Sequence, residues 1–244
     1  MTRSTKIAHK DRWHTTPYVG NTVHLSNGKY INASNIMIAR SSRVFIATQA
    51  PLPETLSEFW MMVWEKNVRS ILNLNHKREL TEPHKWEKYI PKRGERIFYR
   101  RICVETIDER LISNTTKHYR LKLSCGEFER YTEYVHYDEW VDQGTISSDQ
   151  LLQLVANVNR IAGKTNSRPI IVHCSAGRGR TGTFIAASYA VEIAKRALHP
   201  SCVPWRLLLL NLVNCLRVQR RGMIQNWQQF RLLLSMIRLY SRGK

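Results

Sequence analysis

The alternation of apolar and polar positions changes period along the chain, and each change marks a different kind of element. Up to residue 60, Lys29 to Ser34 and Val44 to Gln49 carry β-branched and aromatic residues between turn formers, which predicts short strands. Beyond Pro53, Phe59, Trp60 and Val63 stand at helical spacing and predict a helix. Val68 to Leu74 is an apolar run of the length a buried strand takes. Between residues 98 and 140, short runs alternate apolar and polar side chains, as antiparallel strands packed on one face do. From Ser147 the period becomes helical. Leu151, Leu154, Val155, Val158 and Ile161 define an amphipathic helix, with Ser147 or Ser148 as its cap and Gly163 as its stop. Pro169 to His173 is again of strand type, followed by a glycine-rich turn and an almost wholly apolar helix from Thr181 towards Ala194. Two further helices close the chain. One begins near Pro204, a residue suited to a first helical position, and one carries Phe230, Leu233, Leu234 and Ile237.

Composition narrows the class. With 244 residues and 43% hydrophobic content, the chain can bury a full core. No linker, fixed-period repeat or low-complexity stretch divides it, so one domain over residues 1–244 is expected. The opening MTRSTKIAHK lacks a signal-peptide core. Apolar stretches such as Leu207 to Leu210 fall far short of the roughly 20 residues that cross a bilayer. A soluble chain without a transmembrane segment is expected. Cys103, Cys125, Cys174, Cys202 and Cys215 are odd in number and irregularly spaced, which suits a reducing, intracellular and cytoplasmic setting. The net charge of +19 is uneven: seven Lys and Arg face Asp11 alone in the first fifty residues, and no acidic residue follows Glu192. Such basic ends are expected to attract an anionic partner, whether acidic phosphopeptide, phosphoinositide surface or nucleic acid.

The candidate chemistry lies in the turn His173, Cys174, Ser175, Ala176, Gly177, Arg178, Gly179, Arg180, Thr181, Gly182. A cysteine and an arginine separated by five residues can both face the centre of a tight loop whose backbone amides form a nest for phosphate oxygens. Gly177 and Gly179 allow backbone conformations that other residues resist. The positive end of the following helix favours the thiolate that a nucleophile needs. Arg180 offers a planar fork for two phosphoryl oxygens.

This run, HCSAGRGRTG, resembles the active-site signature of the cysteine-dependent protein tyrosine phosphatase family. The resemblance implies an α/β fold, a highly twisted mixed β-sheet flanked by helices, and hydrolysis of phosphotyrosine in proteins through a cysteinyl-phosphate on Cys174 with no metal or cofactor. Arg180 and the Ser175 to Gly179 loop would hold the phosphoryl group. Thr181 would steady the thiolate. The triplet Trp140, Val141, Asp142 matches the family's mobile acid loop, making Asp142 the general acid and later the base. Met223 to Gln229 resembles the glutamine loop, with Gln225 placing the attacking water and Gln229 beside it. His173, Tyr89, Glu79 and Lys85 match supporting positions: Tyr89 would bond His173, and Glu79 and Lys85 would belong to the loop beside the acid. Arg217 and Arg220 resemble arginines near the active-site rim. KYINAS at 29–34 and Thr48 to Pro53 resemble scaffold motifs, with Ala50 replacing a glycine.

The chain also departs from the pattern. Val141 stands where the family has proline, which is expected to alter how the acid loop closes and to reduce the rate without abolishing it. Residues 1–16 form a divergent N-terminal segment, and the substrate loop reads Arg12, Trp13, His14, Thr15, Thr16, Pro17. Trp13 can supply an aromatic wall, but no aspartate follows, and Arg178 replaces an aliphatic residue. Two other readings therefore stay open: an impaired domain that binds phosphotyrosine proteins, and a phosphatase for phosphoinositide or RNA 5′ phosphate.

Overall fold

The computed structural model describes residues 8–13, 21–82, 84–163 and 168–242. Its frame is one eight-stranded mixed sheet in the order β1-β2-β8-β3-β7-β6-β5-β4. The strands are β1 (Ala33–Ile36), β2 (Phe45–Gln49), β3 (Ser70–Asn73), β4 (Arg96–Tyr99), β5 (Ile102–Ser113), β6 (Thr116–Cys125), β7 (Phe128–Tyr137) and β8 (Ile170–Cys174). The pairs β2–β8, β8–β3 and β3–β7 are parallel. The remaining neighbours are antiparallel. The central strands β2, β3 and β8 are buried at every position, as strands covered on both faces must be. The long β5 and β6 instead mix buried and exposed positions.

Two apolar layers enclose the sheet. Helices α2 (Ser148–Ala162), α3 (Gly179–Arg196), α4 (Trp205–Gln219) and α5 (Trp227–Arg242) cover one face. Helix α1 (Leu56–Glu65) packs on the other through Phe59, Trp60, Met62 and Val63, against Ile71, Val104 and Leu121. Ser147 caps α2 in a reciprocal box with Gln150, and Gly163 ends it, which satisfies donors the first turn leaves orphaned.

Two boundaries differ from the sequence expectation. The first strand begins at Ala33, where pairing with Thr48 starts, so only the end of the Lys29–Ser34 run is strand. Pro204 is the cap of α4 and not its first residue, because its backbone lies outside the helical region (φ −74°, ψ 69°). The parallel β8 aims its C-terminal end at the turn into α3, the crevice where ligands of open α/β sheets collect.

Candidate active site

Strand β8 ends on Cys174 and α3 begins at Gly179, so four residues make the turn between them. Cys174 is 3% exposed, and the Thr181 hydroxyl donates to its Sγ at 3.3 Å. The two glycines of the turn work differently. Gly177 has φ +67°, and a side chain there would run into the Thr48 carbonyl; it needs both the left-handed conformation and the space. Gly179 has no unusual φ. A side chain there would strike the Gln225 amide oxygen and stand 3.0 Å from Gln229 Nε2, so this glycine serves close approach of the glutamine loop.

Arg180 is 1% exposed and clamped by two loops distant in sequence. Its Nη1 donates to Glu79 Oε1 at 2.8 Å, to the Trp140 carbonyl at 2.8 Å and to the Leu74 carbonyl at 3.2 Å. Its Nη2 reaches Glu79 Oε2 at 3.2 Å and Asp142 Oδ1 at 3.1 Å. Burial opposes the charge, but Cys174, Glu79 and Asp142 together outweigh it and hold Arg180 above its ordinary pKa. Its Nε is buried and has no hydrogen-bond partner among the described residues.

The expected acid loop is a tight turn. Trp140 is fully buried and donates its indole N–H to the Gly144 carbonyl at 3.0 Å, while the Gly144 N–H donates to Val141 O. Val141 itself is 58% exposed. Asp142 accepts from Arg180 and lies 3.9 Å from Lys85 Nζ. Lys85 makes its shorter ion pair, 3.1 Å, with Glu82. Asn226 Nδ2 donates to the Gln143 carbonyl at 2.8 Å, tying the acid loop to the glutamine loop. In the latter, the Gln225 N–H donates to Gln229 Oε1 at 2.8 Å, which turns Gln229 Nε2 away as a buried donor without a partner among the described residues. The Gln225 side chain is exposed.

His173 is fully buried, and its Nε2 lies 2.6 Å from Tyr89 Oη. Burial pushes its pKa down to about 3, so the ring is neutral. A neutral ring shares a proton with Tyr89 and stiffens the strand end; the same burial raises the Tyr89 phenol. Trp13 donates its indole N–H to Ser175 Oγ at 3.0 Å, and Arg12 grips the Ala50 and Pro51 carbonyls. Trp13, expected from the sequence to belong to a substrate loop, thus rests on the cysteine turn, while His14, Thr15, Thr16 and Pro17 lie outside the described residues. Arg178 is half-buried beside Arg221, and desolvation first, then that like charge, lowers its pKa.

Arg220 requires a correction: it is not at the rim. It is 2% exposed and lies beneath the turn, donating to Gly177 O at 2.8 Å, Ala176 O at 3.1 Å, Asn32 Oδ1 at 2.8 Å and Ser34 Oγ at 3.2 Å. Burial, then the charge of Arg178, push it down to about 10. Arg217 is exposed and holds the Met223 and Ile224 carbonyls at 2.9 and 2.7 Å. Two residues escaped the sequence reading. Asn75 Nδ2 donates to Glu79 Oε2 at 2.9 Å and orients the carboxylate that grips Arg180. Asn226 was part of a motif but carried no role. Neither has a local pattern that separates it from an ordinary loop asparagine.

A buried thiol and a clamped arginine on one strand–turn–helix, with a carboxylate and a glutamine closing over them, define a cysteine-loop phosphatase scaffold. A family model described as protein-tyrosine phosphatase matches residues 8–238. The chain belongs to the protein-tyrosine phosphatase family. It is 35% identical over 214 residues to the tyrosine-protein phosphatase non-receptor type 7 of Rattus norvegicus, covering 87% of this chain and 56% of that protein. To non-receptor type 18 of Homo sapiens it is 33% identical over 206 residues, covering 84% of this chain and 43% of the relative. The chain therefore spans about half the length of the curated relatives it matches. Among solved structures, the catalytic domain of human non-receptor type 18 superposes with TM-score 0.87 at 29% identity, over 97% of this chain and 86% of that one. A structure of that phosphatase in complex with HER2 phosphopeptides gives the same score and identity.

Proposed function

We propose that the chain, over residues 1–244, is a catalytic domain that hydrolyses phosphotyrosine in proteins through a cysteinyl-phosphate intermediate. The observation that carries this reading is the convergence on one turn of a thiol, a cation and two buried donors, Arg180 Nε and Gln229 Nε2, that have no partner among the described residues. Buried donors without partners are unfavourable, and phosphoryl oxygens are the acceptors that suit them. Family membership and the phosphopeptide complex of a structural neighbour support the substrate class.

In the first step the Cys174 thiolate attacks phosphorus, the P–O bond to tyrosine breaks, and Asp142 gives its proton to the departing oxygen. Arg180, held in plane by Glu79, keeps its fork on two phosphoryl oxygens as charge shifts. A bound phosphoryl dianion competes with Asp142 for Arg180. The carboxyl is thereby released from Arg180 and freed to face the departing oxygen. In the second step water placed by Gln225 attacks phosphorus, Asp142 takes its proton, and the S–P bond breaks to return the thiolate, which Thr181 steadies. Glu79, Asn75, Tyr89, His173 and Arg220 act by positioning.

Five free cysteines, including the exposed Cys202 and Cys215, support an intracellular, reducing setting. Among the described residues no helix is long and apolar enough to cross a membrane. A second reading, a phosphotyrosine-binding domain with slow turnover, is favoured by Val141 and by the substrate loop, in which no aspartate follows Trp13. The test is phosphate release from phosphotyrosine peptides under reducing conditions, beside Cys174→Ser and Asp142→Ala. Turnover that vanishes with the first and falls steeply with the second supports the enzyme. Intact peptide binding without turnover selects the second reading.

A further inference from the structure

Helix α4 buries Trp205, Leu209, Leu212, Val213 and Leu216 against the core and leaves an apolar stripe in solvent. Leu207 is 59% exposed, Leu210 43% and Val218 72%. The helical period places these three on one face with Asn211 and Asn214 between them. Arg206 and Arg217 run along one edge of that stripe, and Arg238 of α5 lines the same groove as Leu207, Leu210 and Arg206. Single exposed leucines are ordinary; a helical stripe of them bordered by arginines is a surface with two kinds of affinity.

Its electrostatic surroundings have one sign. Ten Lys and Arg, and no Asp or Glu, follow Glu192. Helices α3 and α5 and strand β1 pack against α4. Glu192 is the one acidic residue among those three elements, and it is occupied by Ser41 Oγ at 2.6 Å and Arg196 at 2.7 Å. An occupant must therefore be anionic and must also accept leucine and valine side chains.

We propose that this face of α4 is a docking surface for an anionic lipid bilayer, lying in the interface with Leu207, Leu210 and Val218 inserted and Arg206, Arg217 and Arg238 at headgroup level. A second copy of the chain brings the same positive charge and is repelled. A nucleic acid backbone matches the charge but has no apolar layer for the stripe. Arg217 also holds the Met223 and Ile224 carbonyls beside Gln225, so the C-terminal end of the stripe adjoins the glutamine loop. The docking does not depend on turnover.

The experiment is sedimentation of the full chain with phosphatidylserine-rich vesicles and with phosphatidylcholine vesicles, read as bound fraction. Binding is expected only to the anionic vesicles, weakening with salt. The pair Leu207→Asn with Leu210→Asn is expected to weaken it about tenfold, and Arg206→Ala with Arg238→Ala about 25-fold, or about fivefold per arginine. Phe98→Asn with Phe128→Asn, more exposed than either leucine and placed on β4 and β7, is expected to change nothing. Equal binding to both lipids, or binding that ignores either α4 pair, overturns the proposal. So does duplex DNA bound with the arginine dependence but without the leucine dependence. Loss of phosphatase activity with binding intact would refute the proposed function and leave this surface standing.

Discussion

Replacing Arg220 by methionine separates stability from catalysis in a way that the geometry beneath the cysteine turn makes quantitative. Burial that pushes this guanidinium down to about 10 corresponds to roughly 3 kcal/mol of unfavourable desolvation and like-charge repulsion, which the charges of Tyr30, Cys174 and Asp11 offset only in part. Methionine removes this cost. It also strips a donor from four acceptors, Gly177 O, Ala176 O, Asn32 Oδ1 and Ser34 Oγ, at about 1 kcal/mol each. The two effects nearly cancel, so the urea-unfolding free energy should move by less than about 2 kcal/mol. Catalysis has no such compensation. Two of the four acceptors are carbonyls of the turn that carries Cys174, and a misplacement of about 1 Å at a reacting centre costs about 100-fold. The expected result is kcat/KM on a phosphotyrosine peptide lowered about 100-fold in a protein of nearly unchanged stability. Activity within threefold of the parent would refute the reasoning, because the turn would then hold its shape without Arg220.

Other outcomes follow from the same geometry. Gly179→Ala pushes the end of the Gln225 side chain aside, so phosphoenzyme hydrolysis should slow more than its formation. Stopped-flow traces should show a larger burst of released tyrosine than those of the parent, and an unchanged ratio of the two steps would contradict this. Val141→Pro should raise kcat, since proline at this exposed position narrows the loop's conformations at little steric expense; an unchanged kcat would remove Val141 as the source of any slowness. His173 is held neutral near a pKa of about 3, below the value of about 6.5 in an unfolded chain. Its contribution to stability is complete above about pH 6.5 and is lost as pH falls towards about 3, by up to about 1.4 kcal/mol per pH unit. Urea midpoints measured between about pH 7 and pH 4 should fall less steeply in His173→Asn than in the parent; parallel slopes would contradict the assignment.

The chain states its chemistry more openly than its supports. The turn from His173 to Gly182 is legible because strand, loop and helix follow one another, so spacing alone aims Cys174 and Arg180 at a common centre. The antiparallel strands and α2 are legible for the same reason, through alternation and a capped helical period. Contacts between distant segments are not. Glu79 grips Arg180 across 101 residues, and only the resemblance singled it out. Arg220 sits in a Gln-Arg-Arg-Gly run that reads as a solvated turn, whereas tertiary packing buries it and leaves Arg221 outside. Gly179 differs from the expectation of an unusual backbone, since its need for space arises from a glutamine more than forty residues later.

The most direct measurement is to trap the intermediate: quench the domain in acid during turnover of a labelled phosphotyrosine peptide, digest it, and locate the phosphoryl label by mass spectrometry. Label confined to the peptide containing Cys174, and absent from Cys174→Ser together with all turnover, is the predicted result. Label on another residue, or turnover that survives Cys174→Ser, would contradict it.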